Sequence, residues 1–229
     1  MSNTPSQDPF RPAPGRARIF NAPPGSLWLS AAMVAMFLAV RFGPRAFGAW
    51  AFDLLAFVPQ NFDRALSGGS GSLLTALLPL LGHAFLHFDW LHLILNVGFL
   101  LAFGSVVERH FGLAWFLLLF VVTAAAGALL QYSVEPLSPI HMIGASGAVY
   151  GMMGGAIPAL MSGRGAWRLG NAMTFIAVMM VLNLAVGLLN DDGILFGAPI
   201  AWQAHIGGFL AGLLLCYIWD KIRGPRQAV

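Results

Sequence analysis

The chain has 229 residues, of which 58% are hydrophobic and only 9% charged, against about 25% charged in soluble domains. So few polar groups cannot cover a folded chain in water, which excludes a soluble globular protein. The net charge of +3 is scattered at the ends of apolar runs, so no nucleic-acid partner is expected despite a pI near 9.6. A single cysteine, Cys216, excludes intrachain disulfides and cysteine-rich metal sites and reads as a packing thiol.

Apolar runs approaching twenty residues recur along the chain and predict an all-α polytopic membrane protein. The alternating ten-residue segments of a membrane barrel are absent. Residues 1–25 hold six prolines and three arginines without an apolar core. They read as a disordered cytoplasmic tail rather than a secretory signal. A first span is expected at 26–42, ended by Gly43-Pro44. Ala46–Val58 interleaves Trp50, Phe52 and Phe57 with Asp53 and reads as an element lying in the interface, where aromatic rings settle. A polar, glycine-rich stretch follows and ends in Gly68-Gly69-Ser70-Gly71-Ser72.

The second span is expected at 81–107 and carries His83, His87, His92 and Asn96, with Glu108–Gly112 as a tight polar turn after it. The third is placed at 112–130, followed by a loop, Gln131–Ile143. The fourth is placed at 146–161, the fifth at 172–189 and the sixth at 202–219. Residues 222–229 form a short second tail, and the membrane domain spans 26–221. With six spans both termini share one side, and nine of the twelve basic residues fall with them, leaving Arg41, Arg45 and Arg64 opposite. That asymmetry predicts cytoplasmic termini.

Polar groups inside spans are costly and tend to be functional, so the test is whether they can meet. Counted along a helix, Ser146 lies about 27 Å from Arg164, His205 about 24 Å from Lys221 and His92 about 24 Å from Glu108. Asn96 lies about 18 Å from Glu108. In a hydrocarbon core of about 30 Å all four fall in the extracytoplasmic half. Gly147, Gly151 and Gly155 repeat every four residues on the fourth span, as do Ala204, Gly208 and Gly212 on the sixth. Small-xxx-small faces let helix backbones approach closely in lipid. Packing those two ridges together brings Ser146 within hydrogen-bond reach of His205, the arrangement in which a base activates a serine. Tyr150 shares the face of Ser146 and can buttress the imidazole. A helix starting at Gly144–Gly147 offers unpaired N–H groups to an oxyanion, and His92 and Asn96, spaced i,i+4, can add donors. No carboxylate lies at this depth, so the arrangement is a Ser–His dyad. Other readings of the same residues remain: Ser146 as a helix cap, and the intramembrane histidines as proton-relay or haem ligands.

At these residues the sequence resembles the rhomboid family of intramembrane serine proteases. Gly144-Ala145-Ser146-Gly147 looks like its GxSG motif, and Ala204-His205 with Gly208 and Gly212 resembles its AHxxGxxxG motif. His83, His87, His92 and Asn96 are similar to its second-helix pattern, and Glu108 with Gly112 to the turn after it. The chain departs from the family at Leu77-Leu78-Pro79-Leu80, where a Trp-Arg pair is often found. The resemblance implies a six-transmembrane-helix bundle in a bacterial plasma membrane, opening to the extracytoplasmic side. It implies Ser146 as nucleophile and His205 as base, with His92 and Asn96 as oxyanion donors. Tyr150, Gly144, His87 and His83 are then supporting residues. The partners are transmembrane protein substrates within the lipid bilayer, and no cofactor or metal is implied. The loop Asn190–Ala201, with Phe196 between glycines and Pro199, is a candidate cap over the site. An inactive relative that binds and routes membrane proteins is the alternative.

Overall fold

The computed structural model describes residues 22–68, 76–162, 166–189 and 200–223. Most of both expected tails, the glycine-rich stretch at 69–75, the turn at 163–165 and the candidate cap at 190–199 lie outside the described residues. The elements are helical: α1 (Pro24–Phe42), α2 (Arg45–Leu55), α3 (Pro59–Leu66) and α4 (Pro79–Gly82), the last running into a 3₁₀ turn at His83–Phe85. Five more helices follow: α5 (Trp90–Phe111), α6 (Leu113–Val134), α7 (Ser146–Met161), α8 (Ala166–Leu189) and α9 (Trp202–Arg223).

Five of the six expected spans, α1, α5, α6, α8 and α9, are long and apolar enough to cross a membrane. The remaining one, α7, has 16 residues and is about 24 Å long, short of the roughly 30 Å hydrocarbon core. Every residue of α7 from Gly147 to Ala159 is buried, so it is the axis around which the longer helices stand. A helix apolar on all sides belongs inside a bundle. The outer helices instead turn large apolar side chains outward, among them Leu91, Ile94, Val181 and Leu188, all at least 60% exposed. Water would not tolerate that surface; acyl chains do.

The expected second span is corrected at its start. His83 and His87 are not on the spanning helix, which begins only at Trp90. The cause is Asp89: its backbone is extended, and its carboxylate accepts from the His92 N–H at 2.8 Å, an N-cap that fixes the helix origin. The expected polar turn at Glu108 is also corrected. The helix continues to Phe111 and reverses at Gly112, where φ is +92°. Glu108 is buried, and its carboxylate accepts from the N–H groups of Gly25 and Ser26 at 2.8 and 2.7 Å and from Ser26 Oγ at 2.9 Å. It therefore caps α1, neutralising the positive end of that helix dipole from a neighbouring span.

α7 packs chiefly against α9 and α6. A Cβ on Gly208 would stand 1.9 Å from the Gly147 carbonyl oxygen, and one on Gly212 would stand 2.0 Å from that of Gly151. Gly127 of α6 meets the Ala204 carbonyl in the same way, at 2.7 Å. The two glycine ridges of the sequence thus lie against one another, backbone on backbone. Gly208→Ala is expected to destabilise the bundle by about 1–3 kcal/mol, read as a lower melting temperature in detergent. Gly98→Ala, where nothing lies within 4 Å, should leave melting unchanged or raise it slightly.

Candidate active site

The loop before α7 is shaped by glycine and by the segment between α1 and α5. Gly144 has φ +111°, a conformation L side chains rarely adopt. A Cβ there would sit 2.4 Å from His92 Nε2. Its N–H donates to the His83 carbonyl at 2.8 Å, and His83 Nδ1–H donates back to the Gly144 carbonyl at 3.2 Å. Burial pushes His83, in its turn outside the spanning helices, down to about 4, so it stays neutral and holds this reciprocal pair at physiological pH. Phe57 and Met142 exchange two backbone hydrogen bonds a little upstream, at 3.1 and 2.8 Å. The chain enters α7 already held from two sides.

Ser146 is the first residue of α7, and the first backbone bond of that turn runs from the Val149 N–H to the Ala145 carbonyl. The N–H groups of Ser146, Gly147 and Ala148 therefore have no partner within the helix. His205, in the first turn of α9, places Nε2 2.7 Å from Ser146 Oγ. The Tyr150 ring stacks on the imidazole, centroids 4.4 Å apart and planes 5° from parallel. Its hydroxyl donates to the Met179 carbonyl of α8 at 3.4 Å.

His92 and Asn96 line the same cavity as Ser146 and His205, a space of about 730 Å³. The Asn96 amide donates one N–H to the His92 carbonyl at 2.9 Å, which fixes its side chain along α5 and leaves the second N–H for another acceptor. His87 is buried and meets the His92 ring edge-on at 5.1 Å. The structure thus brings Ser146, His205, Tyr150, Gly144, His92 and Asn96 together. His83 stands behind Gly144, and His87 behind His92.

Sequence reasoning missed the group on the other side of the imidazole. His205 Nδ1 hydrogen-bonds Asn183 Oδ1, a buried amide on α8. Helical rise would have found it: Asn183 lies about 22 Å from Arg168, the layer already counted for His205. Glu135 was also missed. It stands at the cavity wall, accepting from Gln203 Nε2 at 2.6 Å and Gln131 Nε2 at 3.3 Å.

A bundle of helices apolar enough to cross a membrane, with Ser146, His92, Asn96 and His205 lining one cavity, defines a polytopic helical membrane protein with a polar site inside it. The Rhomboid domain family profile matches residues 74–221, and the chain belongs to the rhomboid family. It is 29% identical over 143 residues to Rhomboid protease GlpG of Haemophilus influenzae, covering 62% of this chain and 70% of that protein. It is 30% identical over 137 residues to RHOMBOID-like protein 5 of Arabidopsis thaliana, covering 58% and 41%. To Rhomboid protease GluP of Bacillus subtilis it is 31% identical over 127 residues, covering 56% and 23%. The match thus spans less than half of the plant relative and about a quarter of the Bacillus one.

Gly144→Ala is expected to strain the loop and displace His92, costing about 1–3 kcal/mol of stability. Thermal melting in detergent measures it, and Ala145→Gly, at a position with ordinary helical dihedrals, gives the comparison.

Proposed function

We propose that the chain is an intramembrane serine endopeptidase that cleaves transmembrane segments of membrane proteins. The observation that carries this reading is the 2.7 Å contact between Ser146 Oγ and His205 Nε2 under a stacked Tyr150 ring. A base held at that distance, at the mouth of an unpaired helix N-terminus, fits general-base activation of a hydroxyl beside an oxyanion site. Names of relatives such as Rhomboid protease GlpG support the same class.

In this reading Ser146 Oγ attacks the scissile carbonyl carbon and passes its proton to His205 Nε2. The tetrahedral oxyanion is held by the Ser146 N–H, His92 and the second N–H of Asn96. Collapse expels the amine, which takes the proton from His205 and leaves an acyl group on Ser146. Water, activated by the same imidazole, hydrolyses that ester. The short α7 supports entry of this water, since a helix of about 24 Å cannot fill a core of about 30 Å. The apolar cavity wall contributed by Leu91, Leu95 and Phe99 suits a hydrophobic substrate segment, whose backbone must unwind there to expose a carbonyl. Cytoplasmic termini and a site facing the extracytoplasmic side follow from the distribution of arginines.

Ser146→Ala and His205→Ala are each expected to lower cleavage of a model transmembrane substrate by on the order of 10⁴-fold or more, with melting unchanged. A fluorophosphonate probe should label the wild-type chain at Ser146 and leave Ser146→Ala unlabelled. Absence of labelling in the folded wild-type protein would favour an inactive, binding relative instead.

A further inference from the structure

We infer that Asn183 is the positioning residue of this site, holding His205 in the one tautomer that can act as base and extending the Ser146–His205 pair to a Ser–His–Asn triad. The inference rests on the protease reading above and on geometry that reading does not use. Asn183 and His205 are both buried. The amide is oriented from its far end: its Nδ2 donates to the Trp202 carbonyl at 3.4 Å. A carbonyl oxygen can only accept, so the amide must present Oδ1 to the ring, where it meets Nδ1. An amide oxygen in turn accepts only, so Nδ1 carries the hydrogen and Nε2 keeps its lone pair facing Ser146 Oγ at 2.7 Å.

Each link fixes the next, from a backbone carbonyl at the start of α9 through an α8 amide to the imidazole. When Nε2 takes the serine proton, both ring N–H groups still have acceptors. The same helix supplies a second support one turn earlier, where the Met179 carbonyl accepts from the Tyr150 hydroxyl. Asn183 and Met179, spaced i,i+4, so hold the edge of His205 and the tip of the ring stacked on it. The job is the one an Asp or Asn does for the base in other hydrolase triads, performed here by a neutral group.

The decisive measurement is the His205 tautomer in wild-type protein labelled with ¹⁵N-histidine, where only six histidines contribute. A single Nδ1–H form is expected, and an Nε2–H form or an even mixture would overturn the inference without any variant having to fold. In Asn183→Leu the Nδ1–H form should become a mixture. Its kcat should fall about 10- to 100-fold, the size of one charge-assisted hydrogen bond, while KM holds. Asn183→Asp keeps the acceptor for Nδ1 but loses the donor to the Trp202 carbonyl, so its kcat should lie above that of the leucine variant and below wild type, an order that a role in packing alone would not require. A leucine variant with wild-type kcat and tautomer overturns the positioning role while the serine protease stands. A wild-type chain with the expected tautomer that neither cleaves nor labels at Ser146 overturns the protease reading and the positioning role with it, leaving only the hydrogen bond.

Discussion

In a bilayer the helices gain little by hiding apolar side chains from one another, because lipid is as apolar as they are. What remains is van der Waals contact and the hydrogen bonds that close approach allows. Here that approach occurs at Gly208 and Gly212, where the α9 backbone rests on the Gly147 and Gly151 carbonyls. Ser146 is one residue from the first of those carbonyls, and His205 one turn before Gly208. The register of the glycine contact and the distance between hydroxyl and imidazole are therefore a single quantity. Slipping α9 by one turn moves His205 about 5.4 Å, twice the observed separation from Ser146.

The rest of the molecule is arranged around that rigid pair with decreasing tightness. α6 meets both helices through Gly127 and Thr123. The Glu108 carboxylate fastens α1 to the far end of α5 through three hydrogen bonds, a charge kept inside because it has a full set of donors. The segment between α1 and α5 reaches back to the loop ahead of α7 through Phe57 and His83, and to the end of α6 through the hydrogen bond from the Tyr132 hydroxyl to Asp63. Segments that read as peripheral in the sequence thus set the backbone from which Ser146 departs. α8 is the least enclosed spanning helix, with 17% of its apolar window buried, yet it supplies the two groups that brace the imidazole and its stacked ring.

Legibility followed the same gradient. The bounds of α7 could be read residue for residue, because a glycine of positive φ precedes Ser146 and a serine and glycine follow Met161. The ridges were legible because four-residue spacing of small residues has one physical use in lipid. The start of α5 was not, since hydropathy runs unbroken through Leu86 and Phe88, and only the Asp89 side chain decides where the helix begins. Glu108 looked like a polar turn because charge next to glycine usually is one; the donors that make its burial tolerable lie some eighty residues away in sequence. Asn183 escaped because the usual partner of such a base is a carboxylate, whereas here a buried amide meets Nδ1.

That substitution has a physical logic. An ionised Asp buried among spanning helices is costly unless paired with a cation or fully hydrogen-bonded. An amide supplies the directional acceptor without the desolvation cost of a charge. In the proposed reading the cost would fall on the transition state, because a dipole stabilises the imidazolium less than a carboxylate does. In that reading, stacking by Tyr150 and the dipole at the start of α7 would carry more of the burden, the ring by excluding alternative imidazole orientations and the helix by meeting the oxyanion. Of the carboxylates that line the cavity, Glu135 has its oxygens engaged by Gln203 and Gln131, and Asp89 accepts from the His92 N–H as the cap of α5. In the proposed reading the base is braced by a dipole and not by a directly paired charge, which is the form of electrostatics that a membrane interior tolerates.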